Sequence, residues 1–184
     1  MKYNSQITED KADELFPEVD CEGNVTGKMT RSEAHCGTKR LHPVVHLHVF
    51  DNEGRLYMQQ RADWKEVQPG KWDTAVGGHI DYGETPADAL PRESYEELGL
   101  MPEYYAEPPR LVTTYVYESD IERELVYIFR VNVNPDAKLS PSSTETKGGR
   151  FWTHEEILAN IGKNVFTPMF EQEYQRYHEK LNAN

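Results

Sequence analysis

Residues 78–100 read Gly78-His79-Ile80-Asp81-Tyr82-Gly83-Glu84-Thr85-Pro86-Ala87-Asp88-Ala89-Leu90-Pro91-Arg92-Glu93-Ser94-Tyr95-Glu96-Glu97-Leu98-Gly99-Leu100, and this stretch decides the fold. Thr85 is a good helix N-cap, Pro86 stands at the first helical position, and Asp88 sits where a capping-box acid belongs. The helix is predicted to run to Leu98, with Gly99 as its stop. Pro91 removes the amide that would bond the carbonyl of Ala87, so a kink or a delayed start is expected. At about 100° per residue, Ala87, Leu90, Ser94 and Leu98 fall on one stripe, which is predicted to face the core. Glu93 and Glu97 stand one turn apart beside that stripe, with Glu96 in the next row. These carboxylates repel one another by roughly a few tenths of a kcal/mol per exposed pair, and they oppose the negative end of the helix dipole. A hard divalent cation, Mg²⁺ or Mn²⁺, compensates such a cluster naturally. Taken alone, however, the triplet reads more simply as a solvated helix face paired with Arg92.

Working outward, the chain alternates strands with helices. Upstream, Val44–Phe50 is rich in β-branched and apolar residues, and Asp51-Asn52-Glu53-Gly54 turns it into Arg55–Arg61, a hairpin signal. Trp72–Val76 reads as a short buried strand that Gly77-Gly78 breaks. Downstream come β-runs at Arg110–Tyr117 and Glu124–Asn134, a Ser/Thr/Pro/Gly-rich loop at Lys138–Gly149, and a last strand at Gly149–Thr153. Thr153 caps a helix near Glu155–Asn160, and Phe166–Leu181 forms another, with Phe170, Tyr174 and Tyr177 on one face. Residues 1–40 read as an N-terminal extension, with strands at Leu15–Asp20 and Val25–Thr30 and one helical turn at Arg31–Cys36. The expectation is an α/β fold, a mixed sheet with helices packed on it.

The wider spacing changes the reading of the carboxylates. Gly78, five residues, Glu84, seven residues, then Arg92-Glu93-x-x-Glu96-Glu97-x-Gly99-Leu100 resembles the Nudix box, G-x5-E-x7-R-E-U-x-E-E-x-G-U. Every fixed position matches; the one departure is Ser94 where the pattern has a bulky aliphatic, a loss of packing and not of a ligand. The resemblance implies a Nudix-type α/β/α sandwich over residues 41–184 and MutT-like hydrolysis of a diphosphate linked to some other group. It implies Mg²⁺ or Mn²⁺ held by Glu93, Glu96 and Glu97, with the backbone carbonyl of Gly78 able to join them. One glutamate then acts as base toward the attacking water or merely positions it. Glu84 and Arg92 resemble the pair that ties loop to helix.

A second resemblance extends over roughly residues 17–160. Leu41-His42, Gln59-Gln60-Arg61-Ala62, Pro69-Gly70-Lys71-Trp72-Asp73 and Gly78-His79 are similar to the Nudix branch containing isopentenyl-diphosphate isomerase. His35, His42 and His79 stand at positions resembling that enzyme's metal-binding histidines, and Glu122 and Glu124 resemble its Glu-x-Glu pair. Such a set suits Zn²⁺ or Mn²⁺. The isomerase also needs a catalytic cysteine just before the Gly-His step, and Gly77 stands there instead. The hydrolase reading is therefore preferred, with an isomerase-like protein as the alternative and a non-catalytic Nudix ligand sensor as a second. By the same resemblance Arg61, Lys71 and His79 are candidates for substrate contact, and Arg61 alternatively pairs with the box carboxylates. Glu145 is a candidate further acid or a solvated loop residue. His46 and His48, on one side of one strand, are expected to pack or hydrogen-bond; Trp64, Tyr82 and Trp152 are expected to be core or lid more than base-stacking groups.

Composition narrows the partners. The chain has 184 residues, with 20 basic and 32 acidic side chains, hence 20 − 32 = −12 net charge. That balance disfavours nucleic acid and anionic lipid, and favours a small-molecule diphosphate as partner. A mean hydropathy of −0.80 is low, yet the apolar residues fall in compact runs and build a core. The polar start at Met1–Asp20 lacks a secretory pattern, and Cys21 and Cys36 form no disulfide framework or C-x-x-C motif. A cytoplasmic monomer or homodimer without membrane attachment is expected.

Overall fold

The computed structural model describes residues 13–65, 67–143 and 146–182. Glu145 lies outside them. The element order is β1 (Leu15–Val19), β2 (Val25–Thr30), α1 (Arg31–Ala34), β3 (Leu41–Phe50), β4 (Leu56–Arg61), β5 (Trp72–Asp73), β6 (Val76–His79) and α2 (Pro86–Leu98). A 3₁₀ turn (Pro102–Tyr104), β7 (Arg110–Glu118), β8 (Arg123–Asn132), β9 (Thr146–Trp152), α3 (His154–Asn160) and α4 (Pro168–Asn182) follow.

β3 is the spine of a mixed sheet ordered β5-β4-β3-β8-β7. It runs parallel to β8 along its whole length, while its other edge is divided: Val44–Leu47 pair with β6, and Val49 and Phe50 with β4. β9 adds to β4. Side-chain alternation along β3 then separates two cores. Val45, Leu47 and Val49 pack with Leu90 and Leu98 of α2, whereas Val44 and Phe50 pack with Ile157 of α3 and Phe170 and Tyr174 of α4. Helices thus cover both faces, giving the α/β/α sandwich expected from the sequence. β1 and β2 form a separate antiparallel hairpin.

α2 begins where the capping signals put it. The Thr85 side chain accepts from the Asp88 amide and the Asp88 carboxylate accepts from Thr85, a complete capping box. Gly99 closes the helix at φ 61°, a left-handed conformation that favours glycine. Pro91 lies inside the helix, so the delayed start does not occur.

Four further expectations need correction. Gly77 and Gly78 do not end a strand; they lie inside β6, and the break falls at Thr74-Ala75. β3 starts at Leu41, three residues earlier than its β-branched run, because the parallel β8 pairs with it from there. β9 starts at Thr146, so the loop predicted over Lys138–Gly149 is shorter; Met58 and Gln59 of β4 pair with Arg150 and Gly149 despite the glycines. Finally, Ala87 is exposed and Ala89 is buried. Leu90, Ser94 and Leu98 are buried as expected, but the packed arc of α2 extends towards Ala89 and not Ala87, so Glu93 and Glu97 lie half-buried at its edge while Glu96 is exposed.

Candidate active site

The first acid, Glu93, is set by a close approach between α2 and β6. A Cβ built on Gly78 would lie 2.1 Å from Cδ of Glu93, so only glycine lets the helix carry this side chain against the strand. The Glu93 side chain is only 12 % exposed, and its carboxyl rises to about 7, first through burial and further through the nearby Glu96. Glu96, at 40 % exposure, is also raised, by burial first and then by the nearby Asp81. Glu97 accepts from Nε2 of Gln59 at 2.8 Å and, at 3.4 Å, from the backbone N–H of Gly77.

Arg92 braces the loop before the helix. Its Nε and Nη2 donate to the two oxygens of Glu84 at 2.9 and 2.6 Å, and Nη2 also reaches the carbonyl of His79 at 3.1 Å. Glu84 in turn accepts from the Asp81 amide. Burial would raise Glu84, but the Arg92 bond outweighs it and holds the carboxyl below its usual range. Arg92 also donates to Glu93 at 2.7 Å and stands 3.5 Å from Glu96. A single guanidinium therefore shares itself among Glu84, Glu93 and Glu96, and excess negative charge remains.

Arg61 does not pair with these acids. Its Nε donates to the Val67 carbonyl and its Nη1 lies 3.4 Å from Asp73, while the Lys71 carbonyl accepts from the Arg61 amide. Arg61 and Lys71 are thus held together in the loop and short-strand region before β6.

His79 points to the other side of the sheet from Gly78, its neighbour. There His35, His42 and His79 offer ring nitrogens that all lie within 4.8 Å of one another. Nε2 of His35 faces Nε2 of His79 at 3.0 Å, and Nδ1 of His35 meets Glu122 at 2.8 Å. His42 is fully buried, its Nδ1 meets the Arg40 carbonyl, and its Nε2 has no hydrogen-bond partner among the described residues, with Glu124 at 3.8 Å. Burial lowers His42 to about 4 and holds His79 well below 6.5, so both rings keep a free lone pair at neutral pH. Burial also raises Glu124 to about 8, with Glu122 adding to the effect. The five residues therefore come together although they are drawn from the end of α1 (His35), β3 (His42), β6 (His79), the turn before β8 (Glu122) and β8 itself (Glu124). Phe16 of the N-terminal hairpin stacks on His79 with ring centroids 4.4 Å apart, a contact that no local pattern signals.

Farther along the same face, His46 and His48 do hydrogen-bond. Both reach the fully buried carboxylate of Glu173, His46 through Nδ1 at 2.9 Å and His48 through Nε2, and the Tyr115 hydroxyl donates to it at 2.9 Å. The signal for Glu173 was an acid between Phe170 and Tyr174 inside a predicted apolar helix face. Trp152 is core, whereas Trp64 and Tyr82 are exposed.

The family model for the NUDIX domain matches residues 40–171. An isopentenyl-diphosphate Delta-isomerase of Streptomyces griseus is 39 % identical over 154 residues, 83 % of this chain and 77 % of that protein. A Nudix hydrolase of Listeria monocytogenes, lmo0368, is 32 % identical over 149 residues, 79 % of this chain and 83 % of that protein. The crystal structure of DR0079 from Deinococcus radiodurans superposes with a TM-score of 0.73 at 22 % identity, covering 89 % of this chain and 98 % of that one. With its box intact and most of its length matched by the family model, this chain belongs to the Nudix family.

Proposed function

We propose that this chain is a metal-dependent Nudix hydrolase that cleaves the diphosphate bond of a small nucleoside-diphosphate-linked or related compound. The observation that carries the reading is the set of Glu93, Glu96 and Glu97 at one end of α2, with Glu93 held against Gly78, Glu96 more exposed, and one arginine shared among Glu84, Glu93 and Glu96. Carboxylate oxygens suit a hard cation, Mg²⁺ or Mn²⁺, and such an ion supplies charge neutralisation and an acidified water when bound. Glu93, Glu96 and Glu97, with the Gly78 carbonyl, would hold it. Glu84 and Arg92 keep the loop and helix in register, and one box carboxylate orients or deprotonates the attacking water. Arg61 and Lys71 are the nearby cations suited to a diphosphate head; His79 is directed to the opposite face. The acidic balance of −12 favours a compact substrate over a polyanion. Among the described residues no helix is long and apolar enough to cross a membrane. The same reading divides the chain into an extension, residues 1–40, and a hydrolase domain, residues 41–184.

A second reading, an isomerase-like protein, is favoured by one observation: His35, His42 and His79 converge with Glu122 and Glu124 close by. The neutral rings of His42 and His79 and the unpartnered Nε2 of His42 fit Zn²⁺ or Mn²⁺. Against it stands Gly77, which supplies no thiol for proton transfer. A Mg²⁺-supported screen of nucleoside diphosphate derivatives, dinucleotides, coenzyme A and isopentenyl diphosphate, scored by phosphate release and product analysis, separates the two. Hydrolysis of a small compound is expected. An isomerised diphosphate without phosphate release supports the second reading, and silence with binding supports a sensor.

A further inference from the structure

Gln59 is a buried polar residue to which neither the box pattern nor the isomerase resemblance gives a task. It lies on β4, where Tyr57 packs with α2 and Leu56 and Met58 face α3 and α4, so alternation turns Gln59 towards α2 as well. It is 8 % exposed. Its carboxamide donates from Nε2 to Oε2 of Glu97 at 2.8 Å, while its Oε1 is buried with no hydrogen-bond partner among the described residues. The amide cannot be turned round, because Oε1 would then face a carboxylate oxygen, two acceptors in contact.

We propose that Gln59 is a positioning residue for Glu97, and that its Oε1 accepts a hydrogen bond from a water of the hydrated divalent cation. This inference rests on the reading that the box carboxylates hold the metal. Two physical points support it. A buried carbonyl oxygen without a donor is unfavourable, and Mg²⁺ and Mn²⁺ sites retain waters whose hydrogens seek acceptors. Further, a ligating carboxylate needs a neighbour that fixes its orientation without cancelling its charge. Arginine does the opposite at Glu84, where two charge-assisted bonds occupy both carboxylate oxygens. A neutral carboxamide orients Glu97 and leaves its charge for the cation; a lysine or arginine at position 59 would compete with that cation.

The test compares the full chain with Gln59→Met, which keeps length and volume without donor or acceptor, and with Gln59→Leu should methionine prevent folding. Mn²⁺ affinity is measured by electron paramagnetic resonance, and kcat and KM are measured on the best diphosphate substrate. Thermal melting monitors folding. Mn²⁺ binding is expected to weaken about 10-fold or more, with kcat reduced and the substrate KM little changed. An unaltered Mn²⁺ affinity in a folded Gln59 variant overturns the inference, including the case where only the melting temperature falls. Glu97→Gln serves as reference: if it weakens Mn²⁺ binding and the Gln59 variants do not, only the role of Gln59 fails. If Glu97→Gln itself leaves Mn²⁺ binding unchanged, the reading of the box fails with it.

Discussion

On the α2 side of the sheet, Glu93, Glu96 and Glu97 crowd into one helix end and draw on Arg92, Gln59 and a backbone amide. On the α4 side, Glu173 alone accepts from His46, His48 and Tyr115. Both regions bury carboxylates next to β-strands, yet the electrostatic outcomes are opposite. Glu93 is driven up to about 7 by burial, which wins against its arginine. Glu173 is equally penalised by burial, but its histidine partners outweigh the penalty and hold it well below the usual carboxylate range. A carboxylate well supplied with donors is a structural tie, here between α4, β3 and β7. A group of carboxylates with too little positive charge calls for a cation from outside. The histidine cluster is the complementary case, with His42 and His79 kept neutral by burial and an unshared lone pair on His42 in place of excess charge.

The largest effects are expected where the comparison is broken on the α2 side. Gly78→Ala places a methyl group on the Glu93 carboxyl. Turnover should fall by about two orders of magnitude or more, as when other charge-stabilising groups are displaced, while circular dichroism still reports a folded chain. Normal turnover in that variant would mean that the position of Glu93 is irrelevant to the chemistry.

Breaking the α4 side should cost stability and not chemistry. Glu173→Leu leaves the His46 charge uncompensated, and a loss of about 3–5 kcal/mol is expected, readable as a drop in melting temperature on the order of 10 °C. A melting temperature equal to that of the parent would remove Glu173 as a tie. At the histidine cluster, the triple alanine variant of His35, His42 and His79 should lose bound Zn²⁺ or Mn²⁺ by metal analysis. Equal metal content in parent and variant would leave the cluster as packing.

The smallest effect is a pH dependence. Burial opposes charge on His46, but Glu173 overrides it and pushes the ring from 6.5 up to about 9. Its contribution to stability is complete below 6.5 and fades as pH climbs towards about 9. Glu173, held below its ordinary 4.5, contributes above 4.5 and loses that contribution as acid protonates it. The difference in melting temperature between the parent and Glu173→Gln should therefore be greatest between about pH 4.5 and 6.5 and shrink towards pH 9. A difference that stays constant from pH 5 to 9 would contradict the charged pair.

The α2 side was largely legible because its information is local. Caps, helix and acids all fall within residues 78–100; Thr85 and Gly99 cap the helix as their residue types implied, and Glu84 and Arg92 pair as the family resemblance implied. What the local pattern could not give was the burial of Ala89 in place of Ala87 and the close approach by which Gly78 of β6 admits Glu93 of α2. The strand limits were missed where pairing overrides composition: Thr146–Gly149 extend because β4 lies beside them, in spite of two glycines. On the other face, His46 and His48 could be read as hydrogen-bonding but not assigned a partner, since Glu173 is more than a hundred residues away. The histidine cluster was found by resemblance alone. No periodicity links His35 to His79, and only the docking of α1 and β1 on the sheet brings them together.

On the proposed function, the carboxylate cluster on α2 works with a divalent cation to split a diphosphate. The most direct measurement is ³¹P NMR of the best substrate with the parent and with Glu97→Gln, each with Mg²⁺ and with chelator. The expected result is separate phosphate-bearing products from the parent with Mg²⁺ only, and a rate lower by orders of magnitude in the variant. Equal rates in parent and variant, cleavage that persists with chelator, or conversion to an isomer with its diphosphate intact would contradict it.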